Sequence, residues 1–233
     1  MKYFVINAKN YSEAAGNGLE NLIGAINDVA KKKEFKDVEF FLSPTGFGLA
    51  SSIRSGSSFR VLAQHLDPAV VGASTGFSVP EIAKSFGAAG SLINHSEHRI
   101  PFEEIERLVV RLHQLGMISV VCAKDDDEVA KFSKLGPDFI AVEPPELIGS
   151  GRAVSKVKPE IITGSRDALR KSRPPGSTPK LLCGAGIVDG IDAKLSVEMG
   201  SDGVLVASGI IKAQNWGNKI EELAKGLIDA QRR

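Results

Sequence analysis

A (β/α)8 barrel is the fold this sequence predicts, and two observations predict it. Eight short apolar runs recur along 233 residues: YFVINA (3–8), VEFFLS (38–43), FRVLAQ (59–64), AGSLIN (89–94), MISVVCA (117–123), DFIAVE (138–143), PKLLCG (179–184) and DGVLVA (202–207). Several are continuous rather than alternating, as strands buried on both faces should be. Helical stripes lie between them, and strands alternating with helices at this length suit one closed parallel sheet better than two small domains. The expected organisation is a single α/β domain over residues 1–233.

The elements follow in order. Leu19, Leu22, Ile23, Ile26 and Val29 fall at helical spacing between the first and second strands. Ser78-Val79-Pro80-Glu81 reads as a capping-box start with proline in the first turn. Ile105, Leu108, Val109 and Leu112 repeat the apolar stripe, as do Ile220, Leu223, Leu227 and Ile228 near the end. No Ser/Gly linker or low-complexity stretch marks a domain boundary. A doubly wound open sheet is the alternative architecture, but the G-x-G-x-x-G opening that such folds often use for dinucleotides is absent. Gly184-Ala185-Gly186 follows a strand without a third glycine at the required spacing.

Composition narrows the partners. The chain carries 29 basic and 28 acidic side chains, a net charge of +1, which argues against a nucleic-acid surface and means that any anion site must be built locally. Cys122 and Cys183 lie in apolar runs without metal-ligand or redox spacing and read as reduced core residues. The apolar run near the N-terminus is too short for a signal peptide, and no stretch approaches about 18 apolar residues, so a cytoplasmic protein with no membrane partner is expected.

In such a barrel the strand C-termini open onto one face, where active sites sit. Asn7 and Lys9 at the end of strand one are two apart, so alternation points both into the mouth. The same parity puts His95 and Glu97 together at the end of strand four. Strand six ends in Glu143, an acid that is costly to bury directly after FIAV without a task or a partner. Strands seven and eight end in the small-residue turns CGAGI and VASGI, whose backbone N–H groups and helix starts converge as an anion site. A carboxylate, an imidazole and a lysine around a bound phosphate ester suit proton abstraction beside a carbonyl. The connection after Glu143, Pro144 to Gly151, already exceeds the usual length of about two to six residues. Prolines at one end and glycines at the other suit a lid that shields the intermediate from water.

The motifs INAK, NHSEHR, EPPELIGSG, LLCGAGI and VLVASGIIKA, in this order from Asn7 to Lys212, resemble the triosephosphate isomerases, in the short form found in archaea. The resemblance implies a TIM barrel that interconverts dihydroxyacetone phosphate and D-glyceraldehyde 3-phosphate, with neither metal nor organic cofactor. It implies Glu143 as the base, His95 as a neutral electrophile, Lys9 as a cation facing substrate oxygens, Asn7 as a substrate hydrogen-bond donor and Glu97 as a supporting acid. Ile148 and Gly149 in the lid, Gly184, and Ala207 with Ser208 match the phosphate-gripping backbone. The loop GASTGFS looks like the one that projects Thr75 into a neighbouring subunit, so a homodimer or homotetramer is implied. Two departures stand out. Cys183-Gly-Ala-Gly186 lacks the serine of longer members, leaving that turn only backbone N–H groups. The helical segments after strands four to six are short, so parts of the outer ring there are expected as turns.

Rival readings rest on particular residues. A sugar-phosphate epimerase would need a His/Asp metal cluster at strand ends, and His65 has no paired strand-end aspartates. A Schiff-base aldolase needs a lysine at a strand's end; Lys9 qualifies by position, whereas Lys124 lies beyond strand five. A non-catalytic phosphate-sensing barrel would lack Glu143 or His95, and both are present.

Overall fold

The apolar runs pair in parallel and in sequence order, β1-β2-β3-β4-β5-β6-β7-β8, and β8 returns to β1 to close a barrel. The computed structural model describes residues 1–144 and 159–230. Its strands are β1 (Lys2–Asn7), β2 (Val38–Ser43), β3 (Arg60–Ala63), β4 (Gly90–Ile93), β5 (Ile118–Ala123), β6 (Phe139–Val142), β7 (Lys180–Cys183) and β8 (Gly203–Val206). The described helices are α1 (Asn17–Ala30), α2 (Leu49–Ser55), α3 (Pro80–Phe86), α4 (Phe102–Gln114), α5 (Asp126–Ser133), α6 (Pro159–Ser172), α7 (Gly190–Glu198), α8 (Ser208–Ile211) and α9 (Trp216–Asp229). Each of the eight expected strands is present, within two residues of its expected bounds.

Alternation along the strands divides the apolar residues between two cores. Val5, Phe41, Leu62, Leu92, Val120, Phe139, Leu182 and Leu205 fill the barrel interior, one or two from each strand. Their neighbours Phe4, Ile6, Phe40, Leu42, Ile93, Val121, Ile140 and Val204 point outward against the helices. Both sets are almost wholly buried, which is why the runs are continuous in sequence. Each such side chain stabilises the fold by roughly 1.5–3 kcal/mol relative to exposure. Cys122 belongs to the interior and Cys183 to the outer core; both are free thiols. The stripes on α1, α4 and α9 face inward, and Leu22, Ile26, Leu108, Leu112, Leu223 and Leu227 are completely enclosed.

Three expectations are corrected. No capping box forms at Ser78: Val79 is the N-cap and makes no side-chain cap hydrogen bond. The Ser78 N–H is donated to Asp67 Oδ2 at 2.6 Å, and Glu81 is taken by Arg111 in a two-pronged ion pair at 2.8 and 2.6 Å. A reciprocal box does form at α7, between Asp189 and Asp192. The outer ring is also fuller after strand four than expected, because α4 has 13 residues. The shortest principal helices, α2 and α3 with 7 residues each, follow strands two and three instead. Finally, β4 ends at Ile93, so strand alternation cannot be what aims His95.

Close helix packing sets opposite outcomes for two helical glycines. A Cβ at Gly24 in α1 would meet nothing within 4 Å, whereas one at Gly226 in α9 would lie 2.0 Å from the carbonyl oxygen of Gly190. Gly24→Ala should therefore stabilise the protein by about 0.5–1 kcal/mol through reduced backbone entropy. Gly226→Ala should destabilise it by roughly 1–3 kcal/mol despite the same gain in helix propensity. Denaturant midpoints for the two variants check the difference in sign.

Candidate active site

Residues from five strand ends meet at the C-terminal rim of the barrel. Asn7 and Glu143 follow the alternation of their strands, two residues beyond the interior residues Val5 and Ala141. Lys9 and His95 are delivered differently. Lys9 has φ +45°, and Asn94, immediately before His95, has φ +61°. Non-glycine residues rarely enter this left-handed region, so each turn needs fixing by its surroundings. Asn7 Oδ1 accepts the Lys9 N–H at 2.9 Å, and Gln64 Nε2 donates to the Lys9 carbonyl at 2.8 Å. Asn94 donates to the Cys122 carbonyl at 3.1 Å and accepts the Ile100 N–H at 3.1 Å, tying the loop across the neighbouring strand.

The imidazole is oriented by backbone. The Glu97 N–H is donated to His95 Nδ1 at 3.2 Å, so Nδ1 carries the lone pair and the ring proton of the neutral imidazole sits on Nε2. The Glu97 carboxylate does not set this tautomer, because its Oε2 stands 3.7 Å from Nδ1 while its Oε1 binds Lys9 Nζ at 2.9 Å. His95 Nε2 in turn lies 3.3 Å from Glu143 Oε1. His95 is 7% and Glu143 3% exposed, so this contact is held away from bulk water. Glu143 Oε2 is buried and has no hydrogen-bond partner among the described residues. A buried carboxylate oxygen left without a donor is costly and is available to a proton from a bound molecule.

The two small-residue turns close the other side. Lys9, His95 and Glu143 share a cavity of about 50 Å³ with the turns Gly184–Ile187 and Ala207–Gly209. Ser208 and Gly209 open α8, so their N–H groups have no partner within the helix. A side chain at Gly184 would place its Cβ 2.5 Å from Glu143 Cγ, so glycine there leaves room for the carboxylate. Beyond Lys9 and His95 the site opens into a hollow of about 510 Å³, lined also by Asn7, Tyr11, Gln64 and Glu97.

Of the residues expected from sequence, Asn7, Lys9, His95, Glu97, Glu143, Gly184, Ala207 and Ser208 are thus gathered at one rim. Thr75 is not among them; it is exposed on the loop after β3. Ile148 and Gly149, with most of the expected lid, lie outside the described residues. Three further residues bear on the site. Gln64 ends the third apolar run and was legible as a polar strand tip. Asn94 precedes His95 in the same motif. Cys122 gave no signal beyond its apolar surroundings, yet its thiol lies beside Glu143; burial, and then the Glu143 charge, hold it well above its ordinary range. His65 is occupied by a stacked contact with His98 at 4.1 Å and by Asp67 at 3.3 Å; burial and His98 lower its pKa. Among the described residues no group of three His, Cys, Asp or Glu side chains is arranged to hold a metal ion.

The two thiols give a direct check on these surroundings. Burial pushes Cys183 up to about 12, so neither cysteine should form thiolate in the folded protein at ordinary pH. Iodoacetamide at about pH 8 should leave both unmodified in the native state and alkylate both after denaturation. Rapid native labelling would mean that the interior beside Glu143 is open to solvent.

Comparison with known proteins places this geometry in context. The family model described as triosephosphate isomerase matches residues 2–224. The chain is 46% identical over 223 residues to a triosephosphate isomerase of Cenarchaeum symbiosum, covering 96% of both chains. It is 44% identical over 211 residues to that of Methanothermobacter thermautotrophicus, covering 91% of this chain and 89% of the relative. With the enzyme of Archaeoglobus fulgidus it shares 39% identity over 228 residues, covering 98% and 99%.

Proposed function

The chain belongs to the triosephosphate isomerase family, and from that premise we propose that Glu143 is the base, His95 the electrophile and Lys9 the cation of its reaction. The enzyme interconverts dihydroxyacetone phosphate and D-glyceraldehyde 3-phosphate. Glu143 takes the proton from the carbon beside the carbonyl while the His95 Nε2–H donates a hydrogen bond to the carbonyl oxygen. The Lys9 ammonium stabilises the negative charge that develops there. Glu143 then returns the proton to the neighbouring carbon. Meanwhile His95 gives its Nε2 proton to the former carbonyl oxygen and takes the hydroxyl proton from the oxygen that becomes the new carbonyl, so no net proton is gained or lost. The substrate phosphate rests on the turns at Gly184–Ile187 and Ala207–Gly209, with Asn7 fixing the lysine's approach, Glu97 holding its ammonium, and Ile148 and Gly149 completing the grip.

The observation that carries this reading is the buried Glu143 carboxylate, with one oxygen 3.3 Å from the Nε2 of an imidazole whose other nitrogen already accepts a hydrogen bond. The Lys9 amine is engaged as an ammonium by Glu97, which disfavours Schiff-base chemistry there. Lys124 sits among Asp125 and Glu128 outside the rim.

The active unit is at least a dimer. Thr75 is exposed with Val70, Val71 and Phe77, which are 70%, 56% and 58% exposed, and Phe47 stands fully in solvent nearby. An apolar surface of this kind is the mark of a partner interface, and the open hollow beside Lys9 offers a receptor for a small polar side chain. Two buried free thiols support action in a reducing compartment, the cytoplasm; no helix among the described residues is long and apolar enough to cross a membrane.

Glu143→Asp withdraws the carboxylate by one methylene. Turnover should fall on the order of 100-fold with little change in KM, since a displacement of about 1 Å can cost that much. A variant retaining half its turnover would remove Glu143 from the mechanism.

Thr75→Glu should insert an unpaired carboxylate into the partner's hollow, at a cost on the order of several kcal/mol. Light scattering should then report monomers, with activity lowered in step. A fully assembled, fully active variant would show that the loop does not dock.

A further inference from the structure

We infer that the protein carries a second phosphate-binding site at the opposite, N-terminal end of the barrel, lined by Arg166, Arg170, Arg173 and Lys180. These residues line a cleft of about 260 Å³ beside the start of β7, remote from the rim that holds Glu143. Arg166 and Arg170 are one helical turn apart on α6, and Arg173 follows just beyond its end, so three guanidinium groups occupy one face. Among the described residues none of the three has an ion-pair partner.

These arginines are solvent-exposed, and the fold offsets their charge only in part. Two carboxylates, Glu198 and Asp202, also border the cleft, giving four cations against two anions. Both acids have other work: Asp202 accepts the Leu181 N–H at 3.1 Å, and Glu198 pairs with Lys194 at 4.0 Å. Because the whole chain has a net charge of +1, this positive excess is a local feature of the cleft. Arg166 is also shaped into place. Gly200 has φ +119°, and a Cβ there would lie 2.4 Å from Arg166 Cδ, so the arginine stem rests directly on bare backbone. Its exposed guanidinium offers a planar fork of N–H donors that matches phosphate oxygens.

The cleft is small and concave, which suits a compact phosphorylated metabolite with two or more negative charges rather than an extended polymer. It is separate from the catalytic phosphate turns: Lys180 and Cys183 are the two ends of β7, and the turn at Gly184 follows the far end.

Pyrophosphate is the probe. Calorimetric titration at fixed ionic strength into protein saturated with 2-phosphoglycolate, whose carboxylate mimics the enediolate at the catalytic site, leaves only the second site to be read. One pyrophosphate per chain should bind. Arg170→Gln with Arg173→Gln should weaken that binding on the order of tenfold or more, the scale of losing charge-assisted hydrogen bonds. Lys171→Gln, exposed on the same helix but outside the cleft, should leave it unchanged. Isomerase activity of all variants should match the native enzyme, which also verifies that they fold. If 2-phosphoglycolate failed to compete at the rim, the catalytic assignment would be at fault, yet the difference between native protein and the double variant would persist. Absence of residual binding, or equal weakening by the double variant and Lys171→Gln, overturns the second site.

Discussion

Closure of the sheet is the constraint on which everything else in the molecule depends. The seam joins β8 to β1, with Gly203 opposite Tyr3, and a Cβ at Gly203 would lie 1.9 Å from the Tyr3 carbonyl oxygen. Halfway round the barrel, a Cβ at Gly90 would lie 2.1 Å from the Ile118 carbonyl oxygen. At both places only a residue without a side chain allows the strands to approach, twist and stay hydrogen-bonded. Closure in turn brings eight strand ends onto one rim, so residues more than a hundred positions apart in sequence become neighbours.

Strand alternation alone does not complete that rim. It aims Asn7, Glu143, Gly184 and Ala207 inward, but Lys9 and His95 depend on backbone in the left-handed region. Such conformations cost of order 1–3 kcal/mol each and persist only when neighbouring contacts overdetermine them. Asn7 and Gln64 supply those contacts for Lys9, and Asn94 supplies its own through Cys122 and Ile100. The strain therefore sits where Lys9 and His95 are turned toward the rim from positions that a straight strand cannot reach.

This division explains what was legible in the sequence. Burial on two faces leaves continuous apolar runs, so all eight strands could be read, and the helical stripes at Leu19–Val29, Ile105–Leu112 and Ile220–Ile228 identified α1, α4 and α9. Glu143 stood out because a charge directly after an apolar run is expensive. Parity cannot account for His95, which lies beyond the end of β4 and is aimed by the positive φ of Asn94. Gln64 is legible as a polar strand tip, but its task is not, because its partner is the Lys9 backbone carbonyl, which no pattern reveals. The capping box at Ser78 failed through competition, since Asp67 and Arg111, both distant in sequence, hold the groups that would have formed it.

Gly184 shows how tightly the proposed base and the phosphate turn are joined. Its missing side chain leaves the space that Glu143 Cγ occupies, since a Cβ would stand 2.5 Å away. The same residue donates its N–H to the Val142 carbonyl at 2.9 Å, fixing the turn to the strand that carries the carboxylate. Under the proposed roles, a phosphate on this turn would press on backbone hydrogen-bonded to the strand that ends at Glu143. In a chain with almost no net charge, recognition of the anion and placement of the carboxylate need not be separate events. Under the proposed roles both depend on Gly184, whose N–H ties the turn to the strand that ends at Glu143 and whose missing Cβ makes room for that carboxylate.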